Sequence, residues 1–480
     1  MSTPADRTSP GWATTRFVVA GFGTAGYACT DSLLQAGAEH VTALDDRDTE
    51  VLREQARILE TLGAVVRLGP GSTATLPDDA EVLVTSPGLR PDTPLLARAA
   101  ERGLPIWSEI ELAWRLRHPA TAAPWLCVTG TNGKTTTVQM LASILAAAGK
   151  RTVAAGNVGL PLVQVVMDPE PYDVIAVELS SYQLHFTGSM SAHSAAVLNV
   201  APDHVDWHGS LDAYTKDKGR IYEHCQVACV YNAADKATER LVMDADVVEG
   251  CRAIGFTLGY PDVSMVGVVD DLLVDRAFVE QRSTSALELA TLADVNPPAP
   301  HNVANALAAA ALARSFGVPP HAVRDGLRAF TPDAHRIAHV ADVAEVSYVD
   351  DSKATNPHAA QASLAAYEHV VWIAGGQAKG ATFDDLVQAV HQRLRGVVLL
   401  GQDRAVIAAA LARHAPDIPV IDVAGTDTGA MRRVVDEAAG LAQPGDTVLL
   451  APGCASWDMF ANYGARGDAF AEAVHALGQA

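Results

Sequence analysis

The 480-residue sequence predicts an α/β protein of three domains, each built on a mainly parallel sheet. Three observations lead there: strand-length apolar runs alternate with helix-like segments, glycine turns stand between a strand and a helix, and two proline-bearing breaks divide the chain. The length accommodates about three domains, and 49% hydrophobic residues is enough for their cores. The first and third units read as Rossmann-like, and the central one, which carries the glycine turn Gly130-Thr131-Asn132-Gly133-Lys134-Thr135 between a strand and a helix, as a parallel sheet of the P-loop ATPase type.

In the first unit, residues 17–20, 40–44 and 81–85 read as strands, with helix-like patterning at 27–36 and 48–62 between them. This alternation gives a doubly wound parallel sheet. Residues 118–124 are small, carry two prolines and suit a linker, so the first domain is set at residues 1–118. The central domain, 119–332, starts its strands at Trp125, adds runs at 173–178 and 194–200, and closes on an Ala-rich helix at 301–316. Its stretch 247–289 mixes short β-like runs with turn residues and receives no firm place. Past the break at Thr331-Pro332-Asp333, the third domain, 333–480, has apolar runs at 346–349, 369–374, 396–400, 420–423 and 446–450.

Lys+Arg 35 against Asp+Glu 56 leaves a net charge of −21. That balance argues against nucleic acid or an anionic membrane surface as the main partner. Residues 1–11 lack the charged-then-apolar order of a signal peptide, and no apolar run approaches membrane-spanning length. A cytoplasmic protein with a short disordered arm and no membrane insertion is expected. Six cysteines are scattered, and Cys225 and Cys229 alone are close, at a spacing that zinc sites sometimes use. With no second Cys/His pair at metal-site spacing, buried free thiols are expected.

Residues 128–136, Val-Thr-Gly-Thr-Asn-Gly-Lys-Thr-Thr, follow an apolar run and precede a helix-like segment. A glycine turn delivered from a strand into a helix start offers backbone N–H groups to a phosphate, Lys134 adds a mobile cation, and the Thr135 hydroxyl can ligate Mg²⁺. The turn is shorter than the usual P-loop, and it predicts ATP. A plain Gly/Thr-rich turn with a solvated lysine is the alternative. Gly21, Gly23 and Gly26 form a full G-x-G-x-x-G between strand and helix, with Asp45 and Asp46 ending the next strand about 20 residues on. The same groups serve NAD or a uridine diphosphate sugar. Ser86-Pro87-Gly88 opens another loop at that sheet edge, or is an ordinary turn.

Glu178 ends a strongly apolar run, and His204 follows the run at 194–200. A charged group at a buried strand end needs a cation, so both read as metal ligands beside the phosphate loop, with a satisfied core histidine as the alternative for His204 because imidazole is an unusual ligand for so hard an ion as Mg²⁺. Residues 214–222 hold Lys216 and Lys218 in a helical charge cluster, between which the sequence does not choose. In the third unit three loops after strands, at 350–357, 375–380 and 451–458, pair strand ends with lysine, hydroxyl or backbone donors. Together they are equipment for a small carboxylate or a phosphate.

These motifs resemble those of the Mur ligases over nearly the whole chain. The similar segments are 130–136, 156–161, Glu178 to Leu184, Asn199 to Asp206, 301–306 and His335-Arg336. Asp351-Ser352-Lys353-Ala354-Thr355-Asn356 is similar to the D-glutamate-adding members, whose relatives carry His-containing sequences there. The resemblance implies an ATP-dependent amide ligase of cytoplasmic peptidoglycan synthesis, and hence of cell wall, shape and division, acting as a monomer. Its substrates would be UDP-N-acetylmuramoyl-L-alanine and D-glutamate, joined through an acyl phosphate.

Residue by residue, the resemblance implies that Gly23, Thr24, Gly26, Asp45, Asp46, Ser86, Pro87 and Gly88 hold the uridine diphosphate. Gly130, Thr131, Asn132, Gly133, Lys134, Thr135 and Thr136 would take the ATP phosphates and the first of two Mg²⁺ ions. Glu178 would be shared between the ions, His204 would serve the second, and Asn157 would lie near the substrate. Asn302, Asn305, Arg336 and Asp351 are implied as adenine nucleotide contacts, and Lys353, Thr355, Lys379, Ser456 and Tyr463 as D-glutamate contacts. Tyr463 stands where the family carries phenylalanine, keeping the ring and adding a hydroxyl. Lys218 is implied to be carbamylated by CO₂, because a carbamate between two cations is tolerated where an ammonium is repelled. The competing readings are a Mur-type amide ligase for another amino acid and, from Gly21 to Gly26 alone, an NAD-dependent oxidoreductase.

Overall fold

The computed structural model describes residues 11–118, 121–425, 427 and 429–478. The arm expected before Gly11 lies outside the described residues. Two compact units emerge: Met1–Pro298 with Asn302–Phe330, and Ala299–His301 with Thr331–Ala480.

The first unit carries two sheets. The smaller orders its strands Val65–Leu68, His40–Asp45, Arg16–Ala20, Val82–Thr85 and Ile106–Ser108, all parallel. Strand order reverses at Arg16–Ala20, so the glycine turn and Ser86 leave the carboxyl ends of neighbouring strands, where open α/β sheets bind ligands. Two of these strands are not among those expected from the sequence: Val65–Leu68, an edge strand that is largely solvent-facing with Val65 51% exposed, and the very short Ile106–Ser108.

The larger sheet runs Leu287–Thr291, Leu272–Asp275, Met265–Val269, Arg252–Phe256, Ala228–Asn232, Ser194–Val197, Trp125–Thr129, Val174–Glu178 and Thr152–Gly156. It is parallel except for the last two strands at the Leu287 edge, which pair antiparallel. The unplaced stretch 247–289 thus supplies one parallel strand and most of a meander. Its first hairpin turns at Asp270-Asp271, with Asp270 left-handed at φ 55°, a turn made without the glycine that usually marks one. The helix Pro300–Ser315 is buried on nearly all sides, Ala306 through Ala313 being inaccessible. That explains the unbroken apolar run from Ala306 to Ala313.

Buried polar contacts tie the two sheets together. Ser108 caps the helix Glu109–Leu116 and its Oγ lies 2.7 Å from the Thr187 hydroxyl. Glu109 accepts from the Val163 amide at 2.7 Å, and Glu111 accepts from the amides of Gly188 and Ser189 at 2.9 Å each. Burial pushes the Glu109 carboxyl up to about 7. Burial acts on Glu111 in the same direction, but its Ser189 and Gly188 donors and Arg115 outweigh it and hold that carboxyl low.

The second unit holds a sheet ordered Ala338–Val343, Val346–Asp350, Thr447–Leu450, Val370–Gly375, Leu394–Leu400 and Val420–Asp422. All pairings are parallel except that of the edge strand Ala338–Val343, which the sequence reading lacked. Among the described residues no helix is long and apolar enough to cross a membrane.

Candidate active site

Trp125–Thr129 lies between Val174–Glu178 and Ser194–Val197, with Val128 opposite Glu178 and Thr129 opposite Val197. Three chain segments therefore leave one sheet edge together: the phosphate loop, Glu178 and the loop from Leu198. The loop enters the helix Lys134–Ala147 through Gly133, left-handed at φ 84°. A Cβ there would collide with Asn305 Oδ1, so glycine is required by conformation and by the close approach. The Thr131 hydroxyl donates to the Ala201 carbonyl at 3.1 Å and lies 3.0 Å from the Tyr214 hydroxyl. Asn199 grips Asn132 from both sides, accepting from its amide at 2.9 Å and donating to its carbonyl at 3.1 Å. Lys134 folds back, Nζ donating to the carbonyls of Gly130 and Thr131 at 3.0 Å each. Thr135 and Thr136 follow on the first helical turn, Thr136 buried.

Glu178 is 2% exposed. Its Oε1 accepts from Asn157 Nδ2 at 2.9 Å, while Oε2 is buried without a hydrogen-bond partner among the described residues. Gly156, at φ 104°, brings Asn157 to it; a Cβ at Gly156 would strike the Glu178 carbonyl. A buried carboxylate oxygen without a donor calls for a cation, and this fits the Mg²⁺ that the loop implies.

Lys218 is 2% exposed, its Nζ 2.9 Å from the Gly130 carbonyl and 4.4 Å from the Tyr214 ring centroid. Burial, then the Lys134 charge, pushes its ammonium well below the ordinary lysine range. Lys216 is exposed. Burial thus separates two lysines that the sequence could not. Neighbouring Asp217 anchors the helix Leu211–Gly219: its Oδ2 lies 2.8 Å from His185 Nδ1 and 2.9 Å from His208 Nδ1. Burial would raise this carboxyl, but the bonds from His185 and His208 prevail and hold it down to about 2.

His204 is not where the sequence reading put it. The strand expected over 194–200 stops at Val197, and His204 lies beyond it, left-handed at φ 52° as the N-cap of Val205–His208. Its side chain is 41% exposed with Nε2 3.6 Å from Asp203 Oδ2, and its ring centroid is 4.9 Å from that of Tyr182. At this exposure the His204 imidazole needs no cation to offset burial. Asn302 and Asn305 are buried on the helix Pro300–Ser315, with Asn305 against the phosphate loop at Gly133.

At the edge of the smaller sheet, Gly23, Thr24, Asp45, Asp46, Ser86 and Gly88 line a cleft of about 360 Å³. Within it Asp45 is committed to the fold: it accepts from the Phe22 amide at 2.7 Å and pairs with Arg47 at 2.8 Å. Asp46 accepts from the Thr73 amide at 3.0 Å. Gly26 packs so tightly on the Gly21 carbonyl that no Cβ fits. Its glycine serves helix-to-turn packing.

In the second unit Lys353 Nζ lies 4.0 Å from the Tyr463 ring centroid, and Lys379 Nζ 4.0 Å from that of Trp457. Ser456 is buried, with Thr355 half-buried on the loop before Pro357. Asp351 is buried and accepts from the Ser363 hydroxyl; burial pushes its carboxyl up to about 6. Arg336 lies 3.8 Å from Asp333. Arg466, which the sequence reading did not single out, organises these loops. It is 1% exposed and donates to Ser352 Oγ at 2.9 Å, to the Ser352 carbonyl at 2.8 Å and to the Cys454 carbonyl at 3.0 Å. Asn199 was likewise read only as part of a motif. Both residues act by holding backbone, and such partners are set by tertiary contact.

Family models match three stretches: a Mur ligase MurD-like N-terminal domain at residues 15–108, a Mur ligase middle domain at 128–313 and a Mur ligase glutamate ligase domain at 335–454. A UDP-N-acetylmuramoylalanine–D-glutamate ligase of Streptomyces avermitilis is 67% identical over 467 residues, covering 97% of this chain and 99% of that protein. The enzyme of the same name from Thermobifida fusca is 55% identical, covering 96% and 98%. Among solved structures, a pseudomurein peptide ligase type C from Methanothermus fervidus aligns with TM-score 0.59 at 16% identity, covering 97% of this chain and 100% of that one. This likeness is one of fold. On the strength of the three matched domains and the close relatives, the chain belongs to the Mur ligase family.

Proposed function

We propose that the protein is an ATP-dependent ligase that joins D-glutamate to UDP-N-acetylmuramoyl-L-alanine in peptidoglycan precursor synthesis, releasing ADP and phosphate. The observation that carries this reading is the meeting of the Gly130–Thr136 loop with Glu178 and Lys218 at one sheet edge, in a chain 67% identical to a ligase of that name.

In this reading the acceptor carboxylate attacks the γ-phosphorus of ATP, forming an acyl phosphate and ADP. The neutral amine of D-glutamate then attacks the acyl carbon, the C–O bond breaks with its electron pair going to the departing phosphate, and the amine releases one proton to that phosphate or to solvent. Lys134, held by two loop carbonyls, exchanges them for phosphate oxygens and neutralises charge as it builds. Thr135, Glu178, His204 and a carbamylated Lys218 would hold two Mg²⁺ ions, whose charge would offset that of the phosphates. Support for the carbamate comes from the Lys218 amine itself. Its depressed pKa favours the neutral form that adds to CO₂, and the product places a negative charge beside Lys134.

The cleft of the smaller sheet would receive the uridine diphosphate on the backbone N–H groups that follow Gly23 and on Thr24 and Ser86. Lys353 and Lys379 offer two cations suited to the two carboxylates of glutamate, beside Thr355, Ser456 and Tyr463. Asn302, Asn305, Arg336 and Asp351 would serve the adenine nucleotide. The test is phosphate release with UDP-N-acetylmuramoyl-L-alanine, ATP and either D- or L-glutamate. Release with the D form alone is expected, and equal release with both, or with neither, overturns the reading.

A further inference from the structure

The sequence left Cys225 and Cys229 as a pair without a third ligand, and the fold supplies one. Cys225 follows the turn Arg220–Tyr222, Cys229 is the second residue of Ala228–Asn232, and Cys251 immediately precedes Arg252–Phe256. These two strands are parallel neighbours with Ala228 opposite Arg252, so their amino ends start side by side. The phosphate loop leaves the same sheet from its carboxyl edge, so the trio belongs to the opposite edge. Strand pairing brings the three Sγ atoms within 4.8 Å of one another, Cys229 and Cys251 being 3.8 Å apart. Cys225 and Cys229 are buried, and Cys251 is half-buried.

Three thiolates at about 2.3 Å from one Zn²⁺ ion stand roughly 3.8–4.0 Å from each other, which is the separation seen for Cys229 and Cys251. A disulfide needs sulfurs at about 2.0 Å and leaves the third thiol over. Three converging sulfurs are soft ligands, which select thiophilic d¹⁰ cations and reject Mg²⁺. The trio would therefore not compete for the ion of the phosphate edge. Cys225-x₃-Cys229 also has the ligand spacing that zinc sites use.

We propose that Cys225, Cys229 and Cys251 form a three-thiolate site for one Zn²⁺ ion per chain, with water in the fourth position on the half-buried Cys251 side. Three S–H bonds break, three Zn–S bonds form and three protons pass to solvent, so affinity rises with pH. The ion fastens the starts of two neighbouring strands. It takes no part in the ligase reaction and does not depend on the function proposed above.

The experiment uses the full-length reduced protein titrated with Co²⁺ and with Cd²⁺. A thiolate-to-metal charge-transfer band should saturate at one equivalent, be displaced by Zn²⁺, and be absent from Cys229→Ser and Cys251→Ser. Cys29→Ser, at a buried thiol outside the trio, should keep the band. Circular dichroism and ATP binding of each variant show that it is folded, and Cys251→Ser at the half-buried position disturbs packing least. No band in the wild-type protein, or a band in Cys251→Ser equal to wild type, overturns the proposal. Rapid formation of a Cys229–Cys251 disulfide by protein that takes up no Cd²⁺ overturns it in favour of redox chemistry.

Discussion

Lys218 Nζ donates to the Gly130 carbonyl at 2.9 Å, so a buried lysine from a separate helix is built into the phosphate loop. The same carbonyl accepts from Lys134 at 3.0 Å. Two ammonium groups on one oxygen repel each other, and burial together with the Lys134 charge pushes the Lys218 ammonium well below the ordinary lysine range.

Lys218→Ala should be inactive and partly restored by short carboxylic acids that replace the carbamate. Undiminished activity in this variant would remove the bridging role.

Lys218→Met should be inactive and more stable. The folded pKa lies below that of the unfolded lysine, so the cost of burying the amine is full below the folded pKa and vanishes as pH rises to the ordinary lysine range. In bicarbonate-free buffer the gain should be about 1–2 kcal/mol near neutral pH and shrink by pH 10. Chemical denaturation at the two pH values measures it, and a gain that grows with pH contradicts the argument.

Lys134→Ala should abolish ADP release with no change in far-UV circular dichroism. Asn199→Ala keeps the cation but frees the turn at Asn132, so kcat should fall by roughly tenfold to a hundredfold through lost positioning. Wild-type kcat in Asn199→Ala would show that the turn holds its shape without it.

Glu109 is buried with its pKa raised to about 7. The stability it contributes is full below the unfolded value of about 4.5 and is lost as pH rises through about 7. Glu109→Gln keeps an acceptor for the Val163 amide and should be more stable than wild type at pH 8 by on the order of 1–3 kcal/mol. The two should converge at pH 5, as read by thermal melts. A constant difference between the two pH values would locate the effect in packing.

Arg466→Lys removes the fork that joins Ser352 to Cys454. It should raise the KM for D-glutamate at least tenfold while leaving that for ATP near wild type, and Thr355→Ala should do the same more weakly. Equal changes in both KM values would assign these residues a general structural role.

Much of the protein was legible in the chain itself. Alternating strands and helices, the glycine turn at 130–133 and the apolar run ending at Glu178 depend on neighbours a few residues away, and local pattern carries them. Tertiary structure decided what depends on distant partners. It buried Lys218 and exposed Lys216, ended the strand at Val197 and left His204 at the rim, committed Asp45 to Arg47 and the Phe22 amide, and brought Cys251 to Cys225 and Cys229. The physical reason is that burial and hydrogen-bond partners belong to residues far apart in sequence, and sequence spacing records neither.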